Sequence, residues 1–424
     1  MDRVYKSGAV AGAPLAAENA SGPYPSAGNP GGGIAATKPG PFWYHQITEE
    51  IASVITTAGL ALDKNDLTQL RQSIVLLGGV PDSGVTAKKL HESAMPFGPT
   101  INGKLLHTRA GNAETVAIKN RAGNDPSAAD PVWVAIRDVT AGDDSLTWLK
   151  LTAACSVTIS FGSTSGALSG EAFRLWFMLF NDAGTPRLGF VRATTGTNAA
   201  GWSTMPLSAW GIASSTAEGG AGTADSAQVI YTGTAVTSKP YALLGYATWE
   251  SGLGAAGTWN TAPSRRQLFG PGVPLPGSRL GTSITKTSSY ATGTTIVPLD
   301  DTMPQNTEGD QFMSHVTASG SAANLMELGL QVTFSCSIAS NSTGSIFQDA
   351  SANPLTTVGM GSGNGTILVF PLRDTCIAGT TASVTNKFRL GNTGATATYL
   401  NGIAAARLYG GAANSHMMGT EIMS

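Results

Sequence analysis

Charge is the scarcest ingredient of this chain. Lys, Arg, Asp and Glu make up 12% of its 424 residues, about half of the roughly 25% usual for soluble proteins. The net charge of −2 gives no electrostatic grip on nucleic acid or on an anionic membrane. Cysteine is nearly absent. Cys155, Cys336 and Cys376 are odd in number, widely spaced and without any CxxC or Cys/His ligand pattern, which argues against a zinc site and reads as three small buried hydrophobes. No long apolar run exists: Leu175 to Phe180 is far too short to span a bilayer. The start, Met1-Asp2-Arg3-Val4, lacks the charged-then-apolar layout of a signal peptide, so synthesis and folding in a cytoplasm are expected.

Catalytic patterns are missing as well. The five histidines (His45, His91, His107, His315 and His416) show neither HxH nor HExxH spacing, and there is no G-x-S-x-G elbow. The run Gly359-Met360-Gly361-Ser362-Gly363-Asn364-Gly365 lacks the Lys-Ser/Thr of a phosphate loop and precedes a strand. Asp143-Asp144 and Asp300-Asp301 are adjacent pairs, which extended chain points to opposite faces. Neither pair converges as glycosidase carboxylates must. Asp300 and Asp301 read as turn caps; a Ca²⁺ site built with Glu308 and Asp310 is the alternative. No cofactor, metal or catalytic residue is assigned, and the chain reads as non-enzymatic. Nor is there a short-period repeat that would make a solenoid or β-helix.

What is present is a surface of small residues and hydroxyls, with 53 glycines, on a chain long enough for two or three domains. Residues 1–45 are turn-rich and carry too little apolar surface to offset the entropy of ordering them. They end in Phe42-Trp43-Tyr44, which reads as an extended arm that orders against a partner. Residues 46–79 predict a helical hairpin. Ile47, Ile51, Val54, Ile55 and Ala58 share one face; Leu67, Leu70, Ile74 and Leu77 make the stripe of the second helix. Gly59 is the expected C′ residue and Asp63 the expected cap. So small a hairpin does not hold together unaided. Its stripes, with Ile51, Ile55, Leu67, Leu70 and Ile74 as contact residues, are expected to meet copies of the chain or a larger particle; packing on the following domain is the plain alternative.

Residues 80–96 read as a connector, and from 97 the period changes to two. Val132–Ile136, Leu146–Leu151 and Val157–Phe161 predict strands, and Ala172–Phe180 with Arg187–Arg192 predicts a hairpin. In its first arm Phe173, Leu175, Phe177 and Leu179 point one way, while Arg174, Trp176, Met178 and Phe180 point the other. Both faces are mostly apolar, so this strand is expected to be central and covered twice. Gly270 to Gly277 contains three prolines and reads as a stiff linker. Residues 97–278 and 279–424 are thus expected to be two β-sandwich, jelly-roll-like modules. Strand candidates in the second are Thr294–Leu299, Leu325–Phe334, Gly344–Gln348, Thr366–Phe370, Val384–Leu390 and Ala404–Tyr409. Trp133, Trp148, Trp176 and Trp202 are read as core. Tyr246, Trp249 and Trp259 lie near Gly-rich turns and offer faces for sugar stacking or a subunit contact. Ser340–Gly344 and Val358–Gly365 are read as binding loops, with Asn341, Ser342 and Asn364 as polar contacts.

Several stretches carry a family resemblance. Met1-Asp2-Arg3-Val4-Tyr5-Lys6-Ser7-Gly8, the Tyr24-Pro25 and Gly28-Asn29-Pro30 turns, Ala36-Thr37-Lys38-Pro39-Gly40 with the aromatic triplet, and Glu49 to Leu70 together resemble the N-terminal segment of bacteriophage tail-fibre and baseplate-attached proteins. Tyr241 through Trp249 and Trp259 to Gly272 resembles the end of phage fibre knob domains. Ile296 to Asp310 and Ser415 to Ile422 resemble a phage C-terminal module. The resemblance implies a homotrimeric virion protein made in a bacterial host. Its N-terminus, through Phe42, Trp43 and Tyr44, would dock on the tail or baseplate. Its β modules, through Asn341, Ser342, Asn364, Tyr246 and Trp249, would meet a host receptor, either a glycan or a pilus or outer-membrane protein. No nucleic acid and no membrane insertion enter this reading. A purely structural baseplate or tail-tip part and a polysaccharide depolymerase are the alternatives.

Overall fold

The computed structural model describes residues 28–36, 38, 40–78, 99–137, 146–199, 201–270 and 272–424. Residues 1–27 of the expected arm, the 80–96 connector, His91 and Asp143-Asp144 lie outside them. The chain divides into two compact units, Met1–Leu90 and His91–Ser424. It is mainly β, and among the described residues no helix is long and apolar enough to cross a membrane.

In the first unit, Asn29 caps a short turn at Pro30–Gly32, its side chain accepting from the Gly32 N–H at 3.2 Å. Helix α1 spans Pro41–Thr57 and α2 spans Gln69–Gly78. The aromatic triplet therefore belongs to the first turn of α1, not to an extended arm ahead of it. Gly40 is extended at the N-cap and Pro41 occupies N1, where its fixed φ suits a helix and its missing N–H costs nothing. Past the C-cap Ala58, Gly59 takes φ +79°, the left-handed turn expected of it. Asp63 does not cap α2. Its carboxylate accepts from the Asn65 N–H at 2.8 Å, and Asp66 then accepts from the Thr68 N–H at 2.8 Å. Two successive side-chain turns delay the helix to Gln69.

In the second unit the strand Phe173–Asp182 lies inside a seven-stranded sheet, between Thr185–Val191 and Lys239–Trp249. Its alternation holds as expected. Phe173, Leu175, Phe177 and Leu179 enter one core with Val116, Ile118, Val134, Ile136 and Leu151, which come from two three-stranded sheets. Trp176, Met178 and Phe180 enter a second cluster with Tyr241, Leu243, Tyr246 and Phe269. Each such side chain contributes about 1.5–3 kcal/mol when fully buried. Lys239–Trp249 breaks register between Leu243 and Gly245. A Cβ at Gly245 would collide with the Gln267 carbonyl oxygen, so glycine is what lets Arg265–Leu268 pair there.

Residues 279–424 form a sandwich of a six-stranded and a four-stranded antiparallel sheet. Met326, Leu328, Leu330, Phe334 and Phe370 of one sheet meet Ile346, Val384 and Phe388 of the other, with Phe334 stacked on Phe370 at 4.7 Å between centroids. Leu325–Cys336 and Val384–Asn392 match their expected strands. Thr294–Leu299 does not: it is irregular, held by the Val297 N–H donating to the Asn392 carbonyl at 3.0 Å. Ala404–Tyr409 is no strand either. Gly402-Ile403 doubles back on Ala406-Arg407, and Ala404, Ala405 and Tyr409 all take positive φ.

The prolines between Gly270 and Gly277 do not hold two modules apart. Val273 packs on the second cluster of the upstream sheet, and Met423 is buried within it. The Gly277 N–H donates to the Met423 carbonyl at 2.8 Å. At the centre of this junction sits Arg174, buried, donating to Thr248 Oγ1 at 3.0 Å, Ser424 O and Oγ at 3.1 Å, Ser321 Oγ at 3.2 Å and Asn324 Oδ1 at 2.9 Å. The Trp176 indole donates to the same Ser424 oxygen at 3.1 Å. Farther along the seam, the Trp202 indole donates to the Thr375 carbonyl at 3.0 Å, and Asn198 exchanges two hydrogen bonds with the backbone of Ile377.

Candidate interaction surfaces

The second helix of the hairpin is inverted in polarity, whereas the first buries Ala52 and Ile55 and half-buries Ile51, Val54 and Ala58. The buried residues of α1 are Thr48, Ala52 and Ile55, and those at the start of α2 are Gln69 and Ser73. The polar members are satisfied locally. The Thr48 hydroxyl donates to the Tyr44 carbonyl at 2.7 Å, and that of Ser73 to the Gln69 carbonyl at 2.7 Å. The Gln69 amide spans the connecting loop, donating to the Ala61 carbonyl at 2.6 Å and accepting from the Asp63 N–H at 2.9 Å. The large apolar side chains of α2 are outside. Leu67 is 94% exposed and Ile74 60%, and Leu70, Val75, Leu76 and Leu77 are exposed too. Leu70, Ile74 and Leu77 keep the 4-3 spacing of a coiled-coil seam, whereas Leu67, expected on the same stripe, lies in the turn before α2. On α1, Ile47 is exposed and Ile51 half-buried, while Trp43 and Tyr44 are each 49% exposed with their rings edge to face at 5.1 Å. Phe42 is half-buried near His45. Of the expected contact residues, Ile55 needs correction: it is fully buried within the single chain and has nothing to offer another copy.

The five residues assigned to receptor contact are not brought together. Trp249 is 0% exposed, stacked on Phe173 at 5.0 Å and edge-on to Trp259 at 5.4 Å, with its indole N–H given to the Thr261 carbonyl at 2.9 Å. Tyr246 is buried against Trp176. Neither ring has a face left for a sugar, nor has Trp259, which is equally buried. Of the four tryptophans read as core, only Trp176 is fully buried; Trp133, Trp148 and Trp202 are half-buried. The two expected loops are largely strands: Ser340–Gln348 pairs with Thr356–Ser362, placing Ser342 opposite Met360. Ser342 is buried, donating to Asn392 Oδ1 at 2.7 Å beside the Cys336 thiol at 3.1 Å. Only Asn341 and Asn364 remain exposed.

The carboxylates are occupied by turns. Asp300 accepts from the Thr302 N–H at 2.9 Å and hydroxyl at 2.6 Å, Asp310 from the Thr295 N–H and hydroxyl at 2.8 Å, and Glu308 from the Gln305 N–H at 2.9 Å. The Thr302 hydroxyl and then its N–H hold the Asp300 carboxyl below its ordinary value. Among the described residues no group of three His, Cys, Asp or Glu side chains could hold a metal ion, so the Ca²⁺ alternative has no cage here. All three cysteines are buried and free; burial pushes the Cys155 thiol up to about 11 and that of Cys376 to about 12. His315 lies between two hydroxyls, Ser283 Oγ on Nε2 and Thr285 Oγ1 on Nδ1, each at 2.9 Å, and among the described residues no carboxylate pairs with the ring. Sequence reading missed one pair, His107 and Glu114, which meet at 2.9 Å in a buried hairpin. Their diagonal positions on neighbouring strands become visible only once the register is known.

No protein-family model and no curated protein matches the chain. Among solved structures, that of infectious bursal disease virus Gt strain is 11% identical over 77% of this chain and 76% of that one, with a TM-score of 0.20. T=1 particles derived from infectious bursal virus give 11%, 78%, 75% and 0.21. An exo-β-1,3-galactanase from Phanerochaete chrysosporium gives 7%, 76%, 81% and 0.17. Likenesses this slight carry no argument about fold or function.

Proposed function

We propose that this chain is a phage tail-fibre or baseplate-attached receptor-binding protein. Its N-terminal unit anchors it to the virion and to two further copies of itself, and its β unit faces the host surface. The observation that carries the reading is the inverted second helix of the hairpin. A free, solvated hairpin would bury Leu70, Ile74 and Leu77 and expose Gln69 and Ser73; this one does the reverse. Apolar surface of that kind lowers its free energy only when something covers it. The low charge of the chain fits faces that are covered in an assembly. Several identical weak sites would then act together at the host.

The test is particle incorporation. Replacing Phe42, Trp43 and Tyr44 together by Ala should abolish incorporation while the β unit keeps its near-ultraviolet circular dichroism; wild-type incorporation would sink the anchoring role. A second reading, a structural baseplate part that touches no receptor, gains from the burial of Tyr246, Trp249 and Ser342, which withdraws three of the five residues assigned to receptor contact. Binding of the purified, labelled full chain to host cells separates the two.

A further inference from the structure

A cavity of ≈ 10 Å³, room for a single water-sized particle, lies beside the Arg174 network where the upstream sheet meets the C-terminal sandwich. Phe173, Trp176, Ala323 and Ile377 give it apolar walls, and Arg174 and Arg192 bring two guanidinium groups to it. Both arginines are buried, at 4% and 3% exposure. No described Asp or Glu lines it. The carboxylates that balance the two cations stand behind them: Glu171 at Arg192 Nη2, and Glu250 and Glu421 behind Ser321 and Asn324.

The two cations differ in what they have left to give. Arg174 donates through all three of its nitrogens, to Thr248, Ser424, Ser321 and Asn324, so it offers the cavity charge and no free N–H. Arg192 donates through Nη2 to Glu171 Oε1 at 3.1 Å, while its Nη1 is buried without an acceptor among the described residues. Burial, only partly offset by Glu171, pulls the Arg192 pKa below its ordinary value. A buried cationic N–H left unmade is costly. Acceptors around the cavity are already engaged. The Ser424 carbonyl takes Arg174 and the Trp176 indole, and the Ser424 hydroxyl oxygen takes Arg174. The Ala193 carbonyl takes the Met205 N–H at 3.0 Å and the Gln228 amide at 3.3 Å, and the Ile377 carbonyl takes Asn198 at 2.8 Å. A water would satisfy Arg192 but find few places for its own hydrogens. A monatomic anion has no hydrogens to place and meets both positive charges in surroundings of low dielectric.

We propose that this cavity binds a single halide ion, chloride under ordinary salt, held by the N–H groups of Arg192 Nη1 and by the charge of Arg174. The ion then helps to join the two β layers, since its walls come from both. A tetrahedral oxyanion is too large for the space. The site owes nothing to the receptor-binding reading and stands or falls apart from it.

The full chain, in gluconate buffer at constant ionic strength, is titrated with chloride and followed by ³⁵Cl line broadening and by thermal unfolding. A saturable broadening that bromide displaces and sulfate does not is expected, with a Tm that climbs along the same curve. Arg192→Lys keeps a cation for Glu171 but loses the second nitrogen, and it should weaken binding about ten-fold, the worth of one hydrogen bond to a charged group. Ala323→Val fills the cavity and should abolish the saturable part. Unchanged near-ultraviolet circular dichroism verifies that each variant is folded; should either not fold, crystals of the unaltered chain grown in bromide decide, with an anomalous peak expected against Arg192 Nη1. Density there without an anomalous signal, which would assign the cavity to water, would overturn the proposal. So would broadening that does not saturate, displacement by sulfate as readily as by bromide, or an unaltered response in the folded variants.

Discussion

Replacing Arg174 by Met should cost about 3–5 kcal/mol of stability, the usual consequence of removing one side of a buried charged network. The structure shows why. The guanidinium makes five hydrogen bonds, four of which reach residues 321, 324 and 424 across the junction. Burial, the dominant cause, pulls its pKa down to about 10, with Tyr246, Glu250 and Glu421 pulling the other way, so the group is charged at neutral pH. Glu250 and Glu421 are coupled to it through relays: Ser321 donates to Glu250 Oε2 at 3.0 Å and Asn324 to Glu421 Oε1 at 2.7 Å. Methionine fills similar space but takes the cation from behind Ser321 and Asn324, leaving Glu250 only the more exposed Arg265 at 3.8 Å. At about 2.1 cal/mol/K of unfolding entropy per residue, a cooperative unit of roughly 330 residues should lose about 4–7 °C in Tm. Urea unfolding followed by tryptophan fluorescence measures the free energy, and calorimetry the Tm. Adding Glu250→Gln and Glu421→Gln to the variant should recover part of the loss, because the stranded charges go with them. A loss below about 1 kcal/mol, or no recovery in the triple variant, would refute the claim that this cation joins the two β layers into one unit.

Trp249→Ala should cost about 3–5 kcal/mol in urea unfolding, as large core truncations do; a stable variant with lost glycan binding would return this ring to the receptor list. Leu70→Asp with Ile74→Asp should leave helix content intact and dissociate the proposed homotrimer in analytical ultracentrifugation, and an unchanged sedimentation coefficient would show that the exposed seam is not where copies meet. Burial holds the His315 imidazole below its ordinary value of about 6.5. Between the folded value and 6.5 the unfolded chain therefore binds the extra proton, and stability present above about pH 6.5 falls as the pH drops toward the folded value. His315→Asn should remove that part of the slope between pH 7.5 and 5; an identical slope in both proteins would place the titration elsewhere.

What could be read in advance depended on how local the deciding physics is. Phe173 to Phe180 announced a doubly covered strand because eight consecutive residues carry the signal themselves, and both cores accept the predicted faces. The stripe at Leu70, Ile74 and Leu77 is equally legible, though Leu67 lies ahead of the helix that carries it. Gly40-Pro41 was read as the end of an arm although proline at N1 begins helices as readily as it ends loops. Ser340–Gly344, poor in strand formers, reads as a loop ahead of the expected strand Gly344–Gln348; it is extended because strands on both sides impose it. The aromatic candidates failed for a related reason. Glycines around Tyr246 and Trp249 looked like surface turns, yet a Cβ at Gly245 would strike the Gln267 carbonyl oxygen and one at Gly252 the Glu171 carbonyl oxygen. Both are glycines of close backbone approach, Gly245 within the sheet and Gly252 in the buried turn that follows Trp249. Least legible was the junction, since Arg174 and Ser424 stand 250 positions apart, and an arginine in a hydrophobic run looks like a solvated edge until its acceptors are known. The same reasoning turns the hairpin into the sharper functional clue: its stripe was predicted to be hidden, and the structure leaves it bare while hiding Gln69 and Ser73. A local pattern that asks for burial, left bare among the described residues of its unit, is the ground on which contact with another chain is proposed.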